Sequence, residues 1–453
     1  MFSAPNYPNL NCAFIFCCSL FLIILGLFGC QKGSFNKIEE LIYTGKAEEA
    51  VEKLEIFLEK EPDNPEARML LGQAFNEVGR SDDAILQFKK TSQLYASQPD
   101  KRIAARLELA HTYIRLGDRT SAFRLLKTIH KGTSDPKILR QIISLVGDSY
   151  ETRQLTRGDS DNYSPTFSLD GTQIAFTSFR HDNADIYLMD MNGRILRRVT
   201  YSTDFNDSSP TFLKTPNFLL YSSETKSSRE VKVDIQGSGS TSIFAGLNMT
   251  HIHSKMTRPV IPISFGTRAP RSSPSGKKVV YESSTDENLE LYLLDFKGIE
   301  LAEVTLQQIT PKRITINDVD DGSPSFFPDG KRLVFVSSRN DVNQLYTIDI
   351  DGKNEKHLNP NRYDCYNPAV SPDGKTIAFM SARDDDWEIY LVDVDGKNER
   401  KITSGIGRSI QPTFSPDGRY LAFVSDRNDN FHIYLMDLNK PTSRKDLVKL
   451  LEL

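Results

Sequence analysis

The sequence predicts an α + β multidomain protein, in which an α-helical repeat array is followed by an all-β propeller of six blades. Apolar residues between positions 35 and 150 recur at the helical period, whereas later apolar residues form short runs between turns. The turn glycines Gly330, Gly374 and Gly418 are 44 residues apart in both intervals (374 − 330 and 418 − 374). Repeats of about this length are typical of propellers.

One repeat, residues 371–403, shows the predicted anatomy of a blade. Its Pro-Asp-Gly turn at 372–374 combines a preset φ with a residue that accepts positive φ. The Asp-Gly pair at 395–396 is a hairpin signal. The predicted strands are residues 367–370, 375–380, 389–394 and 400–403. Four short antiparallel strands per unit are typical of a propeller blade.

Further copies of this unit complete the predicted ring. Their turns contain Gly171, Gly276, Gly330 and Gly418. The interval between the first two of these glycines is 105 residues (276 − 171), and a degenerate copy at residues 209–223 fills it. The propeller is therefore predicted over residues 151–443, with residues 444–453 as a C-terminal tail.

The amino terminus predicts export. Residues 13–28 are almost wholly apolar, so residues 1–29 are interpreted as a signal peptide. The Leu-Phe-Gly-Cys sequence at 27–30 resembles the lipobox of bacterial lipoproteins, which implies lipidation of Cys30 and a lipidated linker at 30–34. The alternative is an uncleaved membrane anchor. Both interpretations place the rest of the chain outside the cytoplasmic membrane.

Residues 35–150 contain three predicted helical repeats and a capping helix at 136–146. Equivalent small residues recur in them: Gly45, Gly79 and Gly117, followed by Ala50, Ala84 and Ala122. This pattern resembles the tetratricopeptide repeat, in which small residues let paired helices approach closely. The resemblance implies a concave surface that binds extended peptides or helices.

Residues 153–440 resemble the carboxyl-terminal propeller of the TolB family, a periplasmic component of the Tol–Pal system. The resemblance rests on the Ser-Pro-Asp-Gly turns at 371–374 and 415–418, on Ile-Tyr-Leu-x-Asp strands, and on Ser-x-Arg triplets that end at Arg180, Arg339, Arg383 and Arg427. The helical array stands where TolB has an amino-terminal α/β domain. By analogy, a Pal-like lipoprotein is a candidate partner.

No metal, cofactor or nucleic acid is predicted. In the acidic turns at 349–354 and 393–398 glycine is fourth, whereas a calcium-binding EF-hand loop requires it sixth, so hairpins are predicted instead. His251 and His253 fall in an insertion of the second blade, residues 236–267, which is predicted to be an irregular flap without zinc. A net charge of −4 provides no basic surface for nucleic acid.

A non-catalytic function is predicted, because the chain lacks the G-x-S-x-G nucleophile turn of the hydrolases that carry a related propeller. The candidate partner-binding rim consists of the residues just before each inner strand: Asn162, Tyr163, Asn206, Asp207, Arg268, Asp320, Asp321, Tyr363, Asp364, Tyr366 and Gln411. This acidic and aromatic mixture suits a basic or polar peptide segment. The alternative is that these residues are ordinary solvated loops.

The predicted protein is thus an envelope lipoprotein that acts as a protein–protein interaction scaffold through the helical array and the channel mouth. The alternative is a carbohydrate- or peptidoglycan-binding module, or an accessory subunit of an envelope hydrolase. Gln31, rather than an aspartate, follows Cys30, which favours the outer membrane, with the protein facing the periplasm.

The last blade requires a separate prediction, because Pro441 follows its third strand and cannot donate to a strand ladder. Residues 152–156, which precede the first blade, have the Arg-x-Leu-Thr pattern of an outer strand. We therefore predict that residues 152–156 pair antiparallel with residues 433–438 and complete blade six.

Overall fold

The computed structural model describes residues 32–43, 45–215, 217–225, 245–263, 266–286, 288–303, 309–339, 342–358, 363–383, 386–404 and 407–452. The predicted signal peptide and the lipidation site Cys30 lie outside these residues. None of the described helices combines the length and the apolar character that a membrane span requires.

The chain forms two compact units, of which the first contains the described residues up to Gly147, of 382–386 and of 443–453. Seven helices lie before the propeller in the described residues: α1 (Lys32–Tyr43), α2 (Ala47–Lys60), α3 (Pro65–Glu77), α4 (Ser81–Leu94), α5 (Pro99–Arg115), α6 (Arg119–Gly132) and α7 (Pro136–Val146). The predicted helical array is therefore present, and it begins within the predicted linker.

The small residues of the predicted repeats explain how these helices pack. The repeat glycines end a turn between helices with positive φ: Gly45 (79°), Gly79 (77°) and Gly117 (76°). The repeat alanines Ala50, Ala84 and Ala122 are fully buried. A Cβ added at Gly72 of α3 would lie 2.6 Å from the Phe88 ring of α4, so only glycine allows this close approach.

The predicted C-terminal tail is instead a helix of the first unit, α8 (Arg444–Leu450). A capping box begins it, in which Asp446 N donates to Ser443 Oγ at 3.3 Å. Leu447 and Leu451 are buried in a hydrophobic cluster with Leu126 and other residues of α5, α6 and α7. The prediction failed here because seven residues contain too few apolar positions to set a helical period.

The second unit is the predicted propeller, with six four-stranded antiparallel sheets. Its strands are β1 (Tyr150–Gln154), β2 (Asn162–Phe167), β3 (Gln173–Ser178), β4 (Asp185–Asp190), β5 (Ile195–Arg198), β6 (Phe205–Phe212), β7 (Phe218–Thr225), β8 (Ala245–His251), β9 (Thr257–Ile261), β10 (Arg268–Ser272), β11 (Lys278–Asp286), β12 (Asn288–Asp295), β13 (Lys312–Arg313), β14 (Asp321–Phe326), β15 (Arg332–Ser337), β16 (Gln344–Asp349), β17 (Lys356–His357), β18 (Tyr366–Val370), β19 (Thr376–Ser381), β20 (Glu388–Asp393), β21 (Arg400–Lys401), β22 (Ser409–Phe414), β23 (Tyr420–Asn428) and β24 (Asn430–Pro441). Five sheets use consecutive strands, and the sixth has the order β1-β24-β23-β22.

Strand β1 supplies the outer strand of blade six. It runs antiparallel to β24, with Thr152 opposite Met436. Beyond the paired strand, Leu155 N donates to Ile433 O at 2.8 Å, and Ile433 N donates to Thr156 Oγ1 at 2.9 Å. This is the pairing that the Arg-x-Leu-Thr pattern predicts.

Outer strands of other blades make the same bonds within their own blade. A main-chain N–H of the third strand donates to a threonine hydroxyl of the outer segment: Ile186 to Thr200 (3.0 Å), Leu291 to Thr315 (3.0 Å) and Ile389 to Thr403 (2.8 Å). Thr156 therefore occupies the place of an outer-strand threonine in blade six. Without β1, the long strand β24 would be an unpaired edge, which favours aggregation.

Blade two corrects the predicted flap at residues 236–267. Strands β8 and β9 lie in this segment and are the third and fourth strands of the blade, whereas residues 236–244 lie outside the described part of the chain. The sequence of β8, AGLNMTH, lacks the Tyr and the terminal Asp that mark third strands elsewhere. The repeat was unrecognisable there for that reason.

Candidate functional site

The inner strands of the propeller surround a polar central channel. Segments centred on Pro165, Pro324, Pro368 and Pro412 line it, from β2, β14, β18 and β22 respectively. Ala269 and Arg271 of β10 and Glu282 of β11 complete the described lining. The volume, including the solvent at the mouth, is about 580 Å³.

Each inner strand bends at the same kind of step, a non-glycine residue with positive φ followed by proline. These residues are Ser164 (50°), Ser209 (52°), Ala269 (50°), Ser323 (51°), Asn367 (46°) and Gln411 (52°). The strand register shifts at each step, as expected for a β-bulge. Such a conformation costs on the order of 1–3 kcal/mol. Because all six blades contain it, it serves a need of the ring as a whole.

Sequence reasoning missed these steps, although a signal exists. The prolines recur at positions 165, 210, 270, 324, 368 and 412. The last two intervals are 44 residues (368 − 324 and 412 − 368), the same as the interval between the turn glycines. Proline within a strand pattern indicates a bulge or an edge, and periodic proline therefore marks the inner strands.

The residue after each proline differs between blades, and only blade three has a charge there. The six residues are Thr166, Thr211, Arg271, Ser325, Ala369 and Thr413. They hold the same register position opposite the second strand. Glu282 is also specific to blade three, because the equivalent second-strand residues are Thr177, Ser222, Val336, Met380 and Val424.

The two charged residues that line the channel, Arg271 and Glu282, differ in the hydrogen bonds that they form. Arg268 Nε donates to Glu282 Oε2 at 2.9 Å, and Ser323 N donates to Glu282 Oε1 at 2.6 Å. Arg271 Nη1 donates to Pro270 O at 3.2 Å, the one hydrogen bond of this guanidinium to the described residues. Desolvation lowers the pKa of Arg271, while the Glu282 carboxylate acts in the opposite direction.

Several predicted rim residues lie at joints between neighbouring blades. In each joint a carboxylate or amide oxygen at or just before the start of an inner strand accepts an N–H at the start of the third strand of the preceding blade. The bonds are Ala184 N to Asn206 (3.0 Å), Leu289 N to Asp320 (2.8 Å), Asn343 N to Asp364 (2.8 Å) and Phe431 N to Asp161 (2.9 Å). The last of these joins blade six to blade one, so the ring itself requires these residues.

The placement of the whole set at an exposed rim is therefore corrected. Seven of these residues are buried: Asn162, Tyr163, Asn206, Asp207, Asp321, Tyr363 and Tyr366. Arg268 and Asp364 are half-buried, Asp320 is exposed, and Gln411 lines the channel. Gln411 Oε1 accepts from Ser164 N at 2.7 Å, which links the last inner strand to the first. Their binding of a partner stays a prediction.

The Ser-x-Arg arginines also stabilise their blades. Arg339 Nη2 lies 3.4 Å from both carboxylate oxygens of the buried Asp321. Arg427 Nη1 donates to Asp148 Oδ2 at 2.8 Å. Both arginines lie over the ring of a third-strand tyrosine. These contacts give the repeated arginines a structural role within their blades.

The metal-like motifs form local turns. Asn354 Nδ2 donates to Asp349 Oδ2, and Asn398 Nδ2 donates to Asp393 Oδ2, both at 2.7 Å, within hairpins between third and fourth strands. Ser254 N donates to His251 Nδ1 at 3.1 Å at the end of β8. Among the described residues, no group of three or more His, Cys, Asp or Glu could hold a metal ion.

Glu388 is a buried carboxyl group at the start of β20. Thr403 Oγ1 donates to its Oε2 at 2.5 Å. Burial raises the pKa of Glu388 to about 7, although the charges of Lys401 and Arg427 act against this rise. The pKa of Asp207 is similarly raised by burial, to about 6.

Glu388→Gln is expected to stabilise the protein at pH 8 but not at pH 4.5. The pKa of Glu388 is about 7 in the folded protein, whereas the ordinary pKa of a glutamate side chain is 4.5. The wild-type free energy of unfolding therefore falls as the pH rises through this window, by at most about 3 kcal/mol. Glutamine mimics the protonated carboxyl, so melting temperatures of the two proteins should diverge with rising pH. Exposed Glu52→Gln is the control, and a constant difference at all pH values contradicts the prediction.

Comparison with known proteins agrees with this architecture. A family model described as the TolB beta propeller domain matches residues 245–361 and 354–446. The solved structure of a putative TolB from Agrobacterium tumefaciens is similar at 17% identity, with a TM-score of 0.44, over 64% of this chain and 99% of that chain. TolB from Acinetobacter baumannii is similar at 18% identity, with a TM-score of 0.41, over 71% of each chain.

An oligogalacturonate lyase in complex with manganese is also similar, at 13% identity and a TM-score of 0.44, over 66% of this chain and 95% of that chain. Similarities at this level do not bear on activity. The carboxyl-terminal unit is thus a β-propeller of six four-stranded sheets, which is similar to the TolB beta propeller domain from β8 of blade two to β24 of blade six.

Proposed function

We propose that this protein is a non-catalytic scaffold of the cell envelope that binds other proteins. The central channel supports the proposal best. Residues of five of the six copies of one backbone step line it, while the side chains that follow the prolines differ from blade to blade. One frame with unlike side chains suits recognition of an extended polar segment of a partner.

The helical array provides a second binding surface. Buried alanines and positive-φ glycines at equivalent positions support a tetratricopeptide-like array. Arrays of this kind bind extended peptides or helices on a concave face. We propose that the array and the channel act as two modules, which increases avidity when one partner or complex reaches both.

The proposed location is the periplasmic side of the outer membrane. Lipidation of Cys30 would anchor the chain there, and a Pal-like lipoprotein is a candidate partner by analogy with the Tol–Pal system. An anchored scaffold meets membrane-bound partners at high effective concentration.

Affinity capture from solubilised envelope tests this function. The baits are the wild type, the soluble variant Cys30→Ala, and Thr413→Trp, which should fill the channel. Thr413 holds the position at which blade three accommodates the long Arg271 side chain, so the fold should tolerate a large residue. We expect wild type and Cys30→Ala to retain the same stoichiometric protein, and Thr413→Trp to retain at least about tenfold less.

Two outcomes contradict this function or its site. Retention of glycan fragments without a stoichiometric protein would contradict the scaffold and favour the carbohydrate-binding alternative. Loss of the partner only when residues 35–147 are deleted would place the site on the helical array. The exposed variant Arg332→Ala controls for nonspecific charge effects, since Arg332 already pairs with Asp329 at 2.9 Å.

A further inference from the structure

Arg271 is a cation that forms no ion pair with the residues the structure describes, in a channel that is otherwise mostly uncharged. Its guanidinium carries five N–H donors. One hydrogen bond, to Pro270 O, connects it to the described residues. Partial burial weakens hydration of the charge, so these donors favour a ligand that accepts hydrogen bonds.

The neighbouring carboxylate of Glu282 does not accept a hydrogen bond from Arg271 in the described structure. Glu282 lies in the same lining, but its two oxygens already accept from Arg268 and from Ser323 N. Arg271 and Glu282 interact electrostatically without a contact at ion-pair distance among the described residues. Glu224, which is half-buried, also attracts Arg268. Arg271 is thus the charged group whose donors remain for a ligand.

The position of Arg271 separates it from the framework of the ring. Thr166, Thr211 and Thr413 hold the same place in three other blades, so the bulge forms without an arginine. A side chain that occurs at this position in one blade alone is a candidate for binding a ligand rather than for closing the ring. Hydroxyl groups of Ser323 and Ser325 also line the channel and can donate to an anion.

We propose that Arg271 makes the channel a binding site for a carboxylate group. A planar carboxylate matches the paired N–H donors of a guanidinium. A dianionic phosphate would be repelled more strongly by Glu282, which favours the monoanion. The carboxylate can belong to a small acid or to the terminus or acidic side chain of a polypeptide. The inference deepens the proposed function and rests on it only for the polypeptide source.

Titration of the mature full-length protein with acetate tests the proposal. Acetamide is the neutral probe of the same shape, and inorganic phosphate is the competing anion. We expect acetate to shift the Arg271 side-chain NMR signal and acetamide to leave it unchanged. Arg271→Thr should weaken acetate binding at least about tenfold, Arg271→Lys should weaken it less, and Arg332→Ala should leave it unchanged.

A second titration distinguishes the two sources. The tripeptide Gly-Gly-Ser is compared as free acid and as amide. Tighter binding of the free acid than of acetate supports a polypeptide carboxylate, and equal binding supports a small acid. Equal binding of acetate and acetamide, tighter binding of phosphate, or full binding by Arg271→Thr would overturn the proposal.

Failure of this proposal can be distinguished from failure of the scaffold function. If Arg271→Thr captures the same envelope protein as wild type, the carboxylate is not a partner contact, and the scaffold function stands. If acetate binds through Arg271 but no envelope protein is captured, the carboxylate site stands and the scaffold function is rejected.

Discussion

Leu155→Pro is expected to lower the free energy of unfolding of the propeller by about 3 kcal/mol or more. Proline removes the N–H that donates to Ile433 O at 2.8 Å. It also removes a side chain that is 95% buried (5% exposed) beside β24. The edge of blade six would then lose its outer strand where the ring closes. Urea denaturation followed by tryptophan fluorescence measures the effect, because Trp387 lies in the adjacent blade.

The matched control is Leu169→Pro. Leu169 begins the turn of blade one, where Pro328, Pro372 and Pro416 stand in other blades. That turn accommodates proline without loss of a ladder bond, so the free energy should change by about 1 kcal/mol or less. Equal destabilisation by the two substitutions would show that β1 does not close the ring.

Gly396→Ala is expected to cost roughly 2–4 kcal/mol, because two penalties coincide. Gly396 has a φ of 80°, a region that is strained for alanine. A Cβ at this position would also clash with the Leu358 carbonyl oxygen of the preceding blade. Both the residue at 396 and the Leu358 oxygen are held by the main chain, so neither can easily move to relieve the clash. The midpoint of thermal or chemical unfolding should fall accordingly.

Gly298→Ala separates the two penalties. Gly298 holds the same hairpin in blade three with a φ of 76°, but nothing lies within 4 Å of the added Cβ. This variant should show only the conformational cost, about 1–2 kcal/mol. If the two variants lose the same stability, the close approach of neighbouring blades at Gly396 is not rigid.

The fold was predicted well because each repeat contains both a turn signal and strand signals at fixed spacing. The glycine spacing and the Ile-Tyr-Leu-x-Asp strands identified the blades, and the Arg-x-Leu-Thr pattern identified the strand that completes blade six. Blade two was predicted less well, because its outer strands have lost these residues. A strand is fixed there by its neighbours in the sheet rather than by its own sequence.

The site was predicted less well than the fold. Polar residues before inner strands suggest solvated loops, yet Asn206 and Asp364 accept N–H groups from the preceding blade. Such long-range partners leave no local pattern in the sequence. Arg271 lies within an inner strand, after its proline, so a rim predicted from the residues before each strand does not include it. Aligning the six prolines would have shown a charge at one of six equivalent positions.

Residues before blade one close the ring and so create the channel. Thermal unfolding of residues 148–442 and of residues 160–442 tests this closure most directly. The longer form keeps β1 and the Asp148–Arg427 ion pair at 2.8 Å, whereas the shorter form exposes the edge of β24. We predict cooperative unfolding of the longer form and a sharply lower melting temperature, with aggregation, for the shorter form. Equal melting temperatures would contradict closure by β1.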